Sequence, residues 1–240
     1  MLTLVGVGHV FDISSAIEMI IDDRKPKVVA LELDRFRLMA LESEAGGSNR
    51  PKGLYGLLAK YQERLAESYG TTPGAEMLAA AKKARDVGAG VALIDMDARV
   101  LWRRLWKSMR IREKLYLFFG SFAGFFYRGK KMDEEIERLQ KEPESFMEEL
   151  GRRLPTAKAI LIDERNEYMA RNLSELVGRY DSVVAFVGDG HIQGLSTLIA
   201  GEKEIIRLRQ LVEGDIPRPG IRGDLDDNGN SATFSFVAGT

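Results

Sequence analysis

Short apolar runs punctuate this chain, each closed by glycine, proline or charge, and stretches with helical spacing lie between them. Four runs read as buried strands, Leu2–Val7, Lys27–Leu33, Gly90–Ile94 and Ser182–Val187, all rich in Val, Leu or Ile. After the first, Ser14 and Ser15 are candidate caps, Glu18 makes a capping box with Ser15, and Ala16, Ile17, Ile20 and Ile21 form a stripe that should end before Pro26. Leu54, Leu57, Leu58, Tyr61 and Leu65 mark a second helix, and Thr72-Pro73 opens a third that stops at Gly88. An acidic, helix-prone stretch runs from Asp133 to about Leu154 with a break at Pro143, and Pro155 precedes a helix through Leu176. This order predicts an α/β fold with a mainly parallel central sheet flanked by helices. Residues 1–213 form the domain, with a helical insertion at about 99–155. Residues 214–240 form a Gly-, Pro- and Asp-rich tail in which Thr233–Val237 is a candidate C-terminal edge strand.

Composition narrows the chemistry. At 240 residues and 45% hydrophobic, the chain buries a sizeable core without outside staples. It has no cysteine, which excludes disulfides, thiolate zinc sites, iron–sulfur ligation and cysteine nucleophiles. The start, Met1 to Val10, lacks the basic head and small-residue cleavage site of a secretory signal, so a cytoplasmic location is expected. The net charge of −1 argues against nucleic acid as a partner. It conceals an asymmetry: between Arg99 and Lys131 stand ten Lys/Arg and only one acid, Glu113. The apolar run Leu115–Tyr127 within that stretch is too short for the ~20 residues of a transmembrane helix. It is expected to be buried in a homodimer interface or docked as a flap. Membrane-surface contact through residues 102–131, with Trp102 and Trp106 beside the basic charge, is the competing expectation.

Ligands of open α/β sheets sit beyond the carboxyl ends of the strands, so the polar residues there are the first candidates. They are His9 after the first strand, Glu32 with Asp34 and Arg35 on the second, Asp95, Asp97 and Arg99 on the third, and Asp189 and His191 on the fourth. His9 and His191 are the only histidines and share a Gly-x-Gly-His setting, in which Gly6, Gly8, Gly188 and Gly190 would let backbone approach a ligand or another strand. Two imidazoles with several carboxylates suit either an oxygen- and nitrogen-ligand metal site or a His/Glu acid–base pair. Glu32 lies in an otherwise apolar strand and needs a partner, Arg35 and Arg37 being the local candidates. Asp95 and Asp97 alternate, so one of them should face the site. Glu76 lies in a helical first turn, where a negative charge is favoured in any case, and Glu164, Glu167, Tyr168 and Arg171 share one polar helix face.

The motifs Val5-Gly6-Val7-Gly8-His9-Val10, Val28-Val29-Ala30-Leu31-Glu32-Leu33-Asp34, Gly74-Ala75-Glu76-Met77, Leu93-Ile94-Asp95-Met96-Asp97, Asp163-Glu164-Arg165-Asn166 and Val187-Gly188-Asp189-Gly190-His191 follow one another in the order seen in the TraB/PrgY/GumN family, which the chain resembles from residue 1 to about 200. That family is similar to the Tiki proteins, described as metal-dependent proteases, and more distantly to erythromycin-esterase-like and haem-binding ChaN-like proteins. The resemblance implies a site centred on His9, Glu32 and His191, with Asp95, Glu164 and Arg165 as its supporting shell. The family's usual Asp-Arg-Asp is Asp95-Met96-Asp97 here, and residues 214–240 do not read as the apolar tail of many bacterial members, so a soluble form is expected.

The leading expectation is a peptidase-like, metal-dependent hydrolase acting on a peptide or small-molecule substrate. His9, His191, Glu32 and Asp95 would hold a divalent ion such as manganese, cobalt or zinc while a carboxylate activates water. The alternatives are a non-catalytic peptide- or cofactor-binding regulatory protein and a metal-free His/Glu hydrolase. Two histidines and several acids suit all three; the sharpest expectation is that His9 and His191 meet in one site, which only a sheet placing the first and last core strands side by side, or one apart, can arrange.

Overall fold

A computed structural model describes residues 1–8, 13–45, 74–116, 148–149 and 151–217. Five strands, β1 (Leu2–Val7), β2 (Val28–Leu31), β3 (Gly90–Leu93), β4 (Val183–Gly188) and β5 (Lys203–Ile206), form one sheet in the order β3-β2-β4-β1-β5. Every pairing is parallel. The helices are α1 (Ser14–Arg24), α2 (Arg35–Ala45), α3 (Ala75–Asp86), α4 (Ala98–Ser108), α5 (Pro155–Lys158), α6 (Glu164–Arg179), α7 (Asp189–Leu198) and α8 (Leu208–Glu213), with a π-helical turn, Ala159–Asp163, joining α5 to α6.

The sheet is covered on both sides, which is why its strands read as continuous apolar runs. On one face Val5, Val7, Val29, Leu31, Val184 and Phe186 pack against Ile17, Ile20 and Ile21 of α1 and Met77, Ala80 and Ala84 of α3. On the other, Leu2, Leu4, Ala30, Val183, Ala185 and Val187 meet Met169 and Leu173 of α6 and Ile192 and Leu195 of α7. A satellite core of Leu101, Leu105, Met109, Leu154, Ala157 and Ile160 holds α4 against α5. Buried Glu113 fastens the same region by accepting from the backbone N–H groups of Arg110 at 3.0 Å and Thr156 at 2.7 Å. Burial alone would push its carboxyl up, but these bonds outweigh burial and hold it below the ordinary glutamate range.

The chain runs outward from β1 to β2 and β3, then returns to insert β4 between β2 and β1, so the polar strand ends gather where the winding reverses. β1 and β4 are direct neighbours, with Val7 opposite Gly188. This is the adjacency that a shared site requires, although His9 itself lies outside the described residues. β5 is an edge strand that the hydrophobic pattern did not suggest, since half of Lys203-Glu204-Ile205-Ile206 is charged. Glu204 belongs there because Thr3 donates to it at 2.9 Å and Arg24 grips it at 2.9 and 2.6 Å. The helix expected around Leu54–Leu65, most of the acidic 133–154 stretch and the strand at 233–237 lie outside the described residues, as does the 115–127 segment apart from exposed Leu115 and Tyr116.

One local expectation is corrected. The expected capping box at Ser15 does not form, because α1 begins at Ser14 and Ile13 holds the cap position with no side-chain cap bond. The hydrophobic seat of Ile13, 3% exposed, sets that start instead. Gly6 matters through close approach. A Cβ there would lie 2.1 Å from Asp189 Oδ1, and that carboxylate is pinned by Arg207 Nε at 2.9 Å, Arg207 Nη2 at 2.7 Å and Leu208 N at 2.9 Å. Gly6→Ala is therefore expected to cost about 1–3 kcal/mol, the usual range for overpacking. Urea denaturation checks this, and an unchanged midpoint would contradict it.

Candidate functional site

Four side chains converge at the carboxyl ends of β2, β3 and β4. Glu32 follows β2, Asp95 lies two residues beyond β3, His191 sits in the first turn of α7, and Arg165 sits in the first turn of α6. All are close to fully buried, their side chains being 12%, 12%, 7% and 15% exposed respectively. Arg165 is the hub. Its Nε and Nη2 fork onto Asp95 at 3.0 and 2.8 Å, Nη2 also donates to Glu32 Oε1, and Nη1 reaches Leu161 O at 3.2 Å and His191 Nε2 at 3.1 Å. A guanidinium has five N–H donors, and here each has an acceptor. The second oxygen of Glu32 accepts from Gly188 N at 2.5 Å, at the amino end of α7, where the helix dipole favours a negative charge.

This arrangement sets the protonation of His191. Arginine cannot accept a hydrogen bond, so Nε2 must carry the lone pair and Nδ1 the proton, which it donates to Asn166 Oδ1 at 2.7 Å. Burial, first of all, lowers the imidazole pKa below its ordinary 6.5; Glu32 and Asp95 oppose that and Arg165 reinforces it. His191 is thus neutral near pH 7. Asn166 is itself buried, and Gly194, one turn further along α7, makes room for it, since a Cβ there would lie 2.2 Å from Asn166 Nδ2.

The motifs that build this cluster are spread through most of the chain, and residues 2–204 match the model of the TraB/PrgY/gumN family. The chain belongs to that family. It is also 32% identical over 204 residues to an uncharacterized protein of Methanocaldococcus jannaschii, a match covering 80% of this chain and 51% of that protein. The chain thus spans about half the length of that curated relative.

Within this TraB/PrgY/gumN domain the structure sorts the candidates. Glu32, Asp95, Arg165 and His191 come together. Glu32 takes Arg165, 133 residues away, in place of the neighbouring Arg35 or Arg37. Asp95 faces the cluster, whereas Asp97 caps α4 by accepting from Arg99 N at 2.8 Å. Asp34 likewise caps α2, accepting from Phe36 N and Arg37 N, and takes Ala98 N with its other oxygen. The placement of Glu164 beside Arg165 in the supporting shell is corrected, because Glu164 turns away to Arg104 at 3.0 Å, one helical residue having rotated it to another side. Glu76 is buried in the first turn of α3.

The glycines serve the protein's own side chains. The space beside Gly6 is taken by Asp189, that beside Gly8 by Leu208 at 2.7 Å and that beside Gly188 by Glu32 at 3.3 Å, while Gly190 lies in the first turn of α7. Asn166 was missed as a site residue. It shares the buried face of α6 with Met169, Ala170 and Leu173, and a polar residue on that stripe was the available signal.

Among the described residues a divalent ion does not fit this geometry. Glu32, Asp95 and His191 are chemically suited to one, but all three already direct their donor atoms at the guanidinium of Arg165. With Arg165 in place they do not fit a metal ion. Among the described residues no helix is long and apolar enough to cross a membrane.

Proposed function

We propose that this chain is a hydrolase of amide or ester bonds, peptidase-like in substrate class, with His191 as general base, Arg165 as electrophile and Glu32 as the carboxylate that stabilises the imidazolium once Nε2 takes a proton. The observation that carries this reading is the tautomer-locked, neutral His191 whose Nε2 lone pair faces a guanidinium, with Glu32 Oε1 at 3.5 Å. A substrate carbonyl oxygen that displaces Nε2 from Arg165 Nη1 gains a charge-assisted donor where negative charge develops. The same exchange frees the Nε2 lone pair. Water attacks the carbonyl carbon, its proton passes to Nε2, and the carbonyl electron pair moves onto the oxygen beside Arg165. Collapse of this adduct breaks the bond to the leaving group, which takes the proton from Nε2 and restores neutral His191. Loss of one such oxyanion donor typically costs about 2.7–4 kcal/mol in the barrier.

A metal-dependent version with His9, His191, Glu32 and Asp95 as ligands draws support from one feature, the Asn166 carbonyl on Nδ1, which is how metal-bound imidazoles are usually oriented. It requires Arg165 to leave the carboxylates. Chelated protein incubated with chromogenic esters and a fluorogenic peptide library is expected to release product without added metal. If a folded sample turns over no substrate with or without divalent ions, the hydrolase reading fails and a binding protein is left.

A further inference from the structure

We infer that the outer face of α4, together with the helical residues 111–116, is a docking surface for an anionic membrane: Trp106, Ile111 and Leu115 enter the headgroup region while Arg103, Lys107 and Arg112 meet lipid phosphates. The inference goes beyond the hydrolase reading and uses none of its residues. Attachment of this kind is peripheral and needs no spanning helix.

Helical spacing divides α4 into two faces. Leu101 and Leu105, with Met109 just past the end of the helix, recur at every fourth residue and are buried in the satellite core. Trp106 is 58% exposed, and shortly beyond it Ile111 is 75% and Leu115 49% exposed. Large apolar side chains crowded onto so short a stretch of surface mark an interaction site, whereas singly scattered ones would not. Lys114 Nζ lies 5.3 Å from the centre of the Trp106 ring, which sets residues 111–116 back beside α4 and makes one surface of the two.

Charge selects the occupant. Between Ala98 and Tyr116 stand seven Lys/Arg and one acid, Glu113, which is buried with its oxygens on backbone N–H groups. Arg99 and Arg104 pair with Asp97 and Glu164, whereas Arg103, Lys107 and Arg112 are exposed and have no ion pair among the described residues. A second copy docked through a two-fold axis would set this cationic patch against itself. Nucleic acid would satisfy the cations but would leave Trp106, Ile111 and Leu115 in water. An anionic bilayer takes both. Its surface potential attracts Lys and Arg, and its headgroup layer accepts the rings and aliphatic chains between them, tryptophan above all.

The test mixes the full chain with vesicles of phosphatidylcholine alone or of phosphatidylcholine and phosphatidylglycerol in equal parts. Binding is read by flotation and by tryptophan emission, which reports on α4 directly because Trp102 and Trp106 are the only tryptophans of the chain. Wild type is expected to float with the mixed vesicles with its emission moved to shorter wavelength, to stay behind with phosphatidylcholine alone, and to be released by salt. Arg103→Glu and Lys107→Glu together should weaken binding by at least about 25-fold, roughly fivefold for each cation lost, and Trp106→Ser should remove the emission shift. Equal binding to both kinds of vesicle, no binding to the mixed ones, or undiminished binding by the folded charge-reversed protein would overturn the inference. So would a wild-type dimer in sedimentation velocity that Trp106→Ser dissociates, since that assigns the face to a second copy. Should a variant not fold, the vesicle comparison and salt release of wild type decide alone.

Discussion

Replacing Arg165 with methionine is expected to lower the free energy of unfolding by about 3–5 kcal/mol in the absence of metal, the range seen when one partner of a buried ion pair is removed. The loss arises because Glu32 and Asp95 would face each other across a site where each is 12% exposed, with no cation between them. Their attraction raises the Arg165 pKa above its already high value despite the burial that opposes its charge. Lysine should restore only part of the loss, since it supplies the charge on three donors where the site has acceptors for five. Urea denaturation of the chelated proteins measures this. A fall below about 1 kcal/mol, the range typical of exposed pairs, would show that the cluster is not a buried network.

His191→Gln is expected to reduce turnover by about 10²–10⁴-fold, the usual worth of a positioned general base, while leaving the circular dichroism spectrum unchanged. The fold should survive because glutamine keeps a polar side chain of similar reach in the first turn of α7, beside Asn166. The pH profile of the wild type tests the same assignment independently. A base must be neutral to act, and burial holds the His191 pKa below 6.5, so the acid limb should lie below pH 6.5. The sign for stability follows: a depressed folded pKa means that the unfolded chain takes up the proton first. The contribution of His191 to stability is therefore present above 6.5 and is lost as pH falls through the folded value. An acid limb at or above 6.5, or full activity in His191→Gln, would remove His191 from the role of base.

Much of the frame was legible in the chain itself because burial leaves a periodic record. Four strands are visible as apolar runs, and Ile17, Ile20 and Ile21 show the buried stripe of α1 at helical spacing. Glu32 was conspicuous as a carboxylate within an apolar strand, and His191 as one of two histidines in matching Gly-x-Gly-His settings. Requiring those settings to meet called for β1 and β4 side by side or one apart, and they are side by side. What could not be read was which charge faces which. Asp95 and Asp97 are equivalent by alternation, and the choice between them depends on α4 starting at Ala98, which gives Asp97 the cap. Glu164 and Arg165 are neighbours in one motif, yet a rotation of one helical residue sends the first to Arg104 and the second into the cluster. The central position of Arg165 depends on strand order, since it joins Glu32 across 133 residues and Asp95 across 70. The amino-acid sequence by itself determined four of the five strands, the buried helix faces and the candidacy of Glu32 and His191, because hydrophobic burial is a local, repeating constraint against which a polar residue stands out. Only the tertiary structure decided that a guanidinium stands among them, because long-range ion pairing has no period along the chain and is set by where the sheet brings its strand ends.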